Sequence, residues 1–230
     1  MRKYILIFIS LLICGLLNAQ DILKTETDTH IFWQPDRVLK KGDFKGDGNL
    51  IPKSIKYCDE LNMCTMASLG VFAVLDIPKK KQKRGELIEK AYFVPAFEKT
   101  TSYILKNDSL GIEKQKIVFD IYEISARFAR QQLKHLQDSV GGYGIISIMF
   151  KSVEAQAIQM RNSFVDSYTK DIYNDKREGV YEDWRKQIDK LLIDTKEFAT
   201  KPEDCYRFIK KQPLDDNYEQ AKSVIDNLYK

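Results

Sequence analysis

Leu69-Gly70-Val71-Phe72-Ala73-Val74-Leu75 reads as a β-strand: a short β-branched and aromatic run, closed by Pro78. The strand-like region spans Ser68 to Ile77. A basic run follows, Lys79-Lys80-Lys81-Gln82-Lys83-Arg84-Gly85, and a second strand-like run covers Lys90 to Phe97 with Tyr92, Phe93 and Val94. Two apolar runs around a charged turn predict an antiparallel hairpin, and make the basic run a solvated turn rather than a binding patch. Pro95 lacks the N–H that a ladder needs, which places the end of the second run at a sheet edge. Upstream, Ile31-Phe32-Trp33 and Ser54 to Tyr57 read as further short extended pieces. Pro35, Gly42, Gly46, Gly48 and Pro52 mark the turn-rich stretch between them.

Beyond about Leu110 the apolar period changes from two to about 3.6. Ile117, Ile121, Ile124, Phe128, Leu133 and Leu136 share one helix face, and Gly141-Gly142-Tyr143-Gly144 ends that helix. A second long helix is expected from Ile145 to Tyr173. A third starts near Val180, with Trp184, Ile188 and Leu191 at helical spacing. Thr200-Lys201-Pro202 reads as another helix start, with proline in the first turn. A last helix is expected to carry Tyr218, Ala221, Ile225 and Leu228. The fold class is therefore α+β: a small, mainly antiparallel sheet followed by packed long helices.

The N-terminus has the order of a secretory signal. Arg2 and Lys3 precede a nearly unbroken apolar run from Tyr4 to Leu17, and Leu17-Asn18-Ala19 precedes the polar Gln20-Asp21. The run is too short to span a bilayer, which takes roughly 20 residues. Residues 1–19 are read as a signal peptide cut near Ala19, 20–195 as the α+β domain, and 196–230 as a C-terminal helical extension. The expected location is the periplasm or beyond, with no membrane span after cleavage. The net charge of +4 falls to +2 without Arg2 and Lys3, too little to argue for nucleic acid. The rest of the chain holds Cys58, Cys64 and Cys205. A bent loop or hairpin can bridge the first two, but the odd number leaves one thiol over and the pairing is not fixed by the sequence.

Four segments, in this order, resemble a bacterial secreted family of unknown function (family nine-two-two) that is described as zinc-peptidase-like. The first runs from Ile31 to Gly46, with Trp33, then Arg37-Val38-Leu39, then Asp43-Phe44-Lys45-Gly46. The second is Ser102-Tyr103-Ile104. The third is Phe119-Asp120-Ile121-Tyr122-Glu123-Ile124-Ser125-Ala126-Arg127. The fourth runs from Tyr168 through Trp184 to Ile188 and Leu191. The resemblance implies a zincin-like core. Intact members carry His-Glu-Gln-Gly-His before the third segment, two histidines on one helix face holding Zn²⁺ and a glutamate acting as base. Here those positions are Lys114-Gln115-Lys116-Ile117-Val118. Lys114 and Val118 stand for the two ligands, Gln115 for the base, and Asn174 for a third ligand. Ammonium and isopropyl groups do not bind zinc, so the resemblance implies a degenerate site without metal, cofactor or catalytic residue.

The only histidines are His30 and His135, far apart in sequence and read as structural. Asp43-Phe44-Lys45-Gly46-Asp47-Gly48-Asn49 is spaced like a calcium loop. Lys45 stands where an oxygen ligand is needed and no terminal glutamate follows, so calcium is not expected there. Asp120 and Glu123 are neighbours on the central helix and form the one candidate polar site, with Arg127 four residues after Glu123. They serve either as an acid/base pair or as residues of the helix surface or ion-pair partners of Arg127 and Lys116. Two functions follow: a non-catalytic protein with a binding or structural role, its partner a peptide, a glycan or an envelope protein, and a hydrolase working through these carboxylates or another site.

Overall fold

The structure, a computed structural model, describes residues 23–106 and 108–222. The expected signal peptide lies outside the described residues. Four strands, β1 (His30–Phe32), β2 (Thr65–Pro78), β3 (Lys90–Ile104) and β4 (Tyr218–Gln220), form one sheet in the order β1-β3-β2-β4. Every pairing is antiparallel. The hairpin predicted around the basic turn is β2–β3, in a register that pairs Leu75 with Ala91 and Gly70 with Ala96. Side chains alternate across a strand, so Leu69, Val71, Ala73 and Leu75 share one face with Phe93 and Phe97, while Phe72 and Val94 share the other.

Pro95 sits inside β3, an interior strand of the sheet, and not at an edge. Its carbonyl accepts the N–H of Trp33 at 2.9 Å. The carbonyl of Trp33, which an N–H at position 95 would face, accepts Gln34 Nε2 at 2.6 Å instead. A local side-chain bond thus fills the place of the missing ladder bond, and the proline is tolerated.

Ser54 to Tyr57 is helical, not extended. It opens α1 (Ser54–Leu61), which ends at Asn62 in the left-handed region with φ 58°. Ile55 and Tyr57 both point to solvent. The left-handed turn brings Cys64 back to Cys58, and the two form a disulfide. Closing so short a loop contributes about 2 kcal/mol by loop entropy. Reduction is expected to lower the denaturation free energy by that amount in urea titrations; an unchanged midpoint would contradict it. Among the described residues Cys205 is the remaining thiol, fully buried, with Gln34 Nε2 donating to its sulfur at 3.3 Å.

Helix α2 (Ser109–Val140) packs across the sheet and α3 (Ile145–Thr169) packs against α2. Gly141, at φ 65°, ends α2 as the glycine cluster predicts. The second long helix changes character at Thr169, and Lys170–Asp175 wind as a π-helix that closes at Lys176. After it come α4 (Val180–Asp194) and α5 (Pro202–Lys210), both starting where expected. Ile117, Ile121, Ile124 and Trp184 join Tyr168, Tyr173 and Ile188 in one core. A second core sets Leu75 and Phe93 against Leu133, Phe150 and Val153. Burying each such side chain stabilises the fold by about 1.5–3 kcal/mol.

Tyr218, assigned to a last helix by its spacing, lies in β4, while Ile225 and Leu228 lie outside the described residues. Tertiary pairing with Asp76 to Pro78 decides those residues, not their local pattern. The architecture is α+β; a zincin-like core finds no support in it.

Candidate functional site

The first turns of α2 meet the π-helical turn. Tyr168 donates its hydroxyl to the Lys114 carbonyl at 3.1 Å. The Lys114 ammonium stands over the Tyr173 ring, 5.3 Å from its centre. Gln115 is buried: its Oε1 accepts the N–H of Ala67 at 2.9 Å, and its Nε2 approaches the Tyr173 hydroxyl at 3.5 Å. Val118 packs on the core that holds Ile117, Ile172 and Tyr173. Burial raises the Tyr173 phenol to about 12, so it stays protonated at neutral pH. Lys114, Gln115 and Val118 thus meet the turn that carries Asn174, through the neighbouring Tyr173. Asn174 itself points into solvent. Lys114 and Tyr173 also line a surface depression of about 280 Å³ with Leu110, Lys176 and Tyr181.

Asp120 and Glu123 are not surface residues. Asp120 is 2% exposed and accepts Trp33 Nε1 at 2.7 Å, Arg185 at 2.8 Å and the Lys116 ammonium. Burial alone would lower the Arg185 guanidinium, but its bonds to Asp120 and Asp189 hold it above its ordinary value. Glu123 has no exposed surface. Its Oε1 accepts Arg127 Nε at 2.7 Å, Arg130 at 3.1 Å and the Thr200 N–H at 2.8 Å, and its Oε2 accepts the Thr200 hydroxyl at 2.6 Å. The indole of Trp33 carries the Lys116 ammonium at 5.4 Å and the Arg127 guanidinium at 5.0 Å, tying the two carboxylate networks together.

This arrangement neutralises charge and fixes α2 against β1, α4 and the segment before α5. It leaves neither carboxylate free to take a proton from a substrate, because each is held by cations and donors in a dry setting. The pairings Lys116–Asp120 and Glu123–Arg127 are those the helical spacing offered. Arg130, Thr200 and Arg185 were not legible: Thr200 lies 77 residues from Glu123 and carries no local signal. A buried bidentate pair, Arg207 with Asp76 at 2.7 Å, is equally remote in sequence. The calcium-like loop is used structurally, with Asp43 bonded to Arg37 and Asp47 capping Asn49. His30 bonds Thr29 at 2.9 Å and His135 lies on the surface. Among the described residues, no group of three His, Cys, Asp or Glu side chains gathers as metal ligands do.

What the fold and site define is an α+β protein with a charged, saturated interior beneath the sheet. Comparison with known proteins gives no match: no family model, no curated protein and no solved structure is significantly similar to the chain.

Proposed function

We propose that this chain is an exported, non-catalytic binding protein, related to the secreted zinc-peptidase-like family and acting without its metal. One observation carries the reading. The segment from Tyr168 to Asp175 packs directly on Lys114 to Val118, the two pieces that would share a metal in that family. An aromatic ring, an amide and an isopropyl group occupy the junction where donors to a cation would stand. The junction is filled with groups that pack rather than ligate. The signal-like N-terminus and the Cys58–Cys64 disulfide support export, since disulfides persist in oxidising compartments. Hydrolysis by Asp120 or Glu123 is disfavoured by the saturation of both.

Restoring ligands tests the kinship. Lys114→His with Val118→His places two imidazoles four residues apart on α2, and Asn174→His adds a third from the π turn. The triple variant is expected to bind Zn²⁺ at least tenfold more tightly than the double variant by isothermal titration calorimetry, with circular dichroism confirming that both fold. Equal affinities would mean that position 174 does not reach the junction, and would sink the kinship.

A further inference from the structure

We propose that the free edge of β2, from Leu69 to Ala73, takes up an acidic, extended peptide of another protein as an added strand. The inference rests on the reading of the chain as a binding protein, and not on its kinship.

Among the described residues, β2 is flanked by β3 along most of its length but by β4 only at Asp76, Ile77 and Pro78. In an antiparallel ladder alternate residues turn both N–H and C=O to the same side. The Leu75 carbonyl accepts Ala221 N–H at 2.8 Å, which sets the odd-numbered residues facing away from β3. Leu69, Val71 and Ala73 therefore present their N–H and C=O groups to the open side, and none of these has a partner among the described residues. Farther along, the edge is closed: Gln115 takes the Ala67 N–H at 2.9 Å, and a bulge interrupts the ladder between Met66 and Ser68. What stays open is about 17 Å of strand, at roughly 3.4 Å per residue.

Both faces beside this edge are shaped. On the helix face, a hollow of about 50 Å³ lies between Val71, Ala73, Ala126, Ala157 and Ile158, with Arg161 at its rim. It has room for a small branched apolar side chain. On the opposite face, a groove of about 590 Å³ holds the rings of His30, Phe32, Phe72 and Phe208, with Arg207 and Lys211 beside them. Phe72 is 39% exposed there, and a methyl group at Gly70 would touch nothing within 4 Å. An added strand sends alternate side chains to the two faces, so it reads a small apolar residue on one and a large apolar one on the other.

The charge beside the edge chooses the partner. Arg161 stacks on Tyr122 at 4.6 Å and bonds Asn162, and it meets no carboxylate among the described residues. Lys211 has no ion-pair partner among them either. One cation thus flanks each face of the edge, whereas Asp76 and Glu154 are already paired, with Arg207 and Lys151. An acidic strand meets both cations; a basic one is repelled.

The test uses the full chain and a fluorescein-labelled seven-residue peptide that alternates valine with phenylalanine and carries two aspartates. Fluorescence anisotropy is expected to give micromolar affinity. Methylating alternate peptide nitrogens, exchanging the aspartates for lysines, or introducing Arg161→Glu with Lys211→Glu is each expected to weaken binding at least tenfold. The two substituted residues lie outside the core, so the thermal midpoint of the variant is expected to stay unchanged. Undetectable binding overturns the proposal, and so does equal binding of the methylated peptide, which cannot complete a ladder. Binding only by a chain ending at Lys222 overturns it in favour of residues 223–230 as the occupant. Self-association that the peptide does not dissolve overturns it in favour of a second copy. Failure of the zinc experiment leaves these outcomes untouched, so the two readings fail separately.

Discussion

Replacing Glu123 with alanine is expected to cost about 3–5 kcal/mol of stability. The carboxylate has no exposed surface and holds Arg127, Arg130 and Thr200 at once. Removing it leaves the Arg127 guanidinium, itself 3% exposed, without its counter-charge in a low-dielectric setting. For a chain of this size the thermal midpoint is expected to fall by roughly 10 °C or more. Glu123→Gln keeps an oxygen for Thr200 but gives up the charge, and is expected to fall between wild type and alanine. A loss below about 1 kcal/mol for the alanine variant would show that water or another acid replaces the carboxylate, and the network would then not be the anchor of α2.

The second large effect concerns Asp76 and Arg207, which are 1% and 2% exposed as side chains and bonded through two nitrogens. Asp76→Ala alone is expected to destabilise by about 3–5 kcal/mol, because a buried guanidinium is left unpaired. Replacing both, Asp76→Leu with Arg207→Met, is expected to be neutral or even stabilising, since two desolvated charges are removed together. The single and double variants therefore separate the cost of breaking the pair from the net worth of having it. One consequence survives the double exchange. Arg207 also donates to Gln220 at 3.1 Å, so amide exchange at Ala221 is expected to quicken in the double variant as β4 loosens from β2. Unchanged exchange there would mean that the ladder alone holds β4.

Cys205 gives a smaller contrast. Burial pushes its thiol up to about 12, and the helix and sheet around it exclude solvent. It is expected to resist alkylation in the native chain at pH 8 and to react in denaturant; native labelling at the rate of a free thiol would contradict its placement.

The hairpin, the two long helices and their ends were legible because each obeys a local rule. Leu69 to Leu75 carries strand residues between breakers, Ile117 to Leu133 repeats at helical spacing, and Gly141 and Pro202 mark ends that backbone geometry dictates. The misreadings have one cause. Ser54 to Tyr57, Pro95 and Tyr218 were judged by neighbours in sequence, while neighbours in space decided them: a loop closed by Cys64, a carbonyl satisfied by Gln34, and the edge of β2.

By itself the sequence determined the α+β class and the β2–β3 hairpin. These depend on side-chain chemistry and on periods of two and 3.6. Only the tertiary structure decided that Asp120 and Glu123 are buried anchors, because their partners Trp33, Arg185 and Thr200 come from distant segments. It alone decided, too, that among the described residues β4 covers β2 only from Asp76 to Pro78. Pairing length is a property of how two strands meet, and no residue of either strand records it.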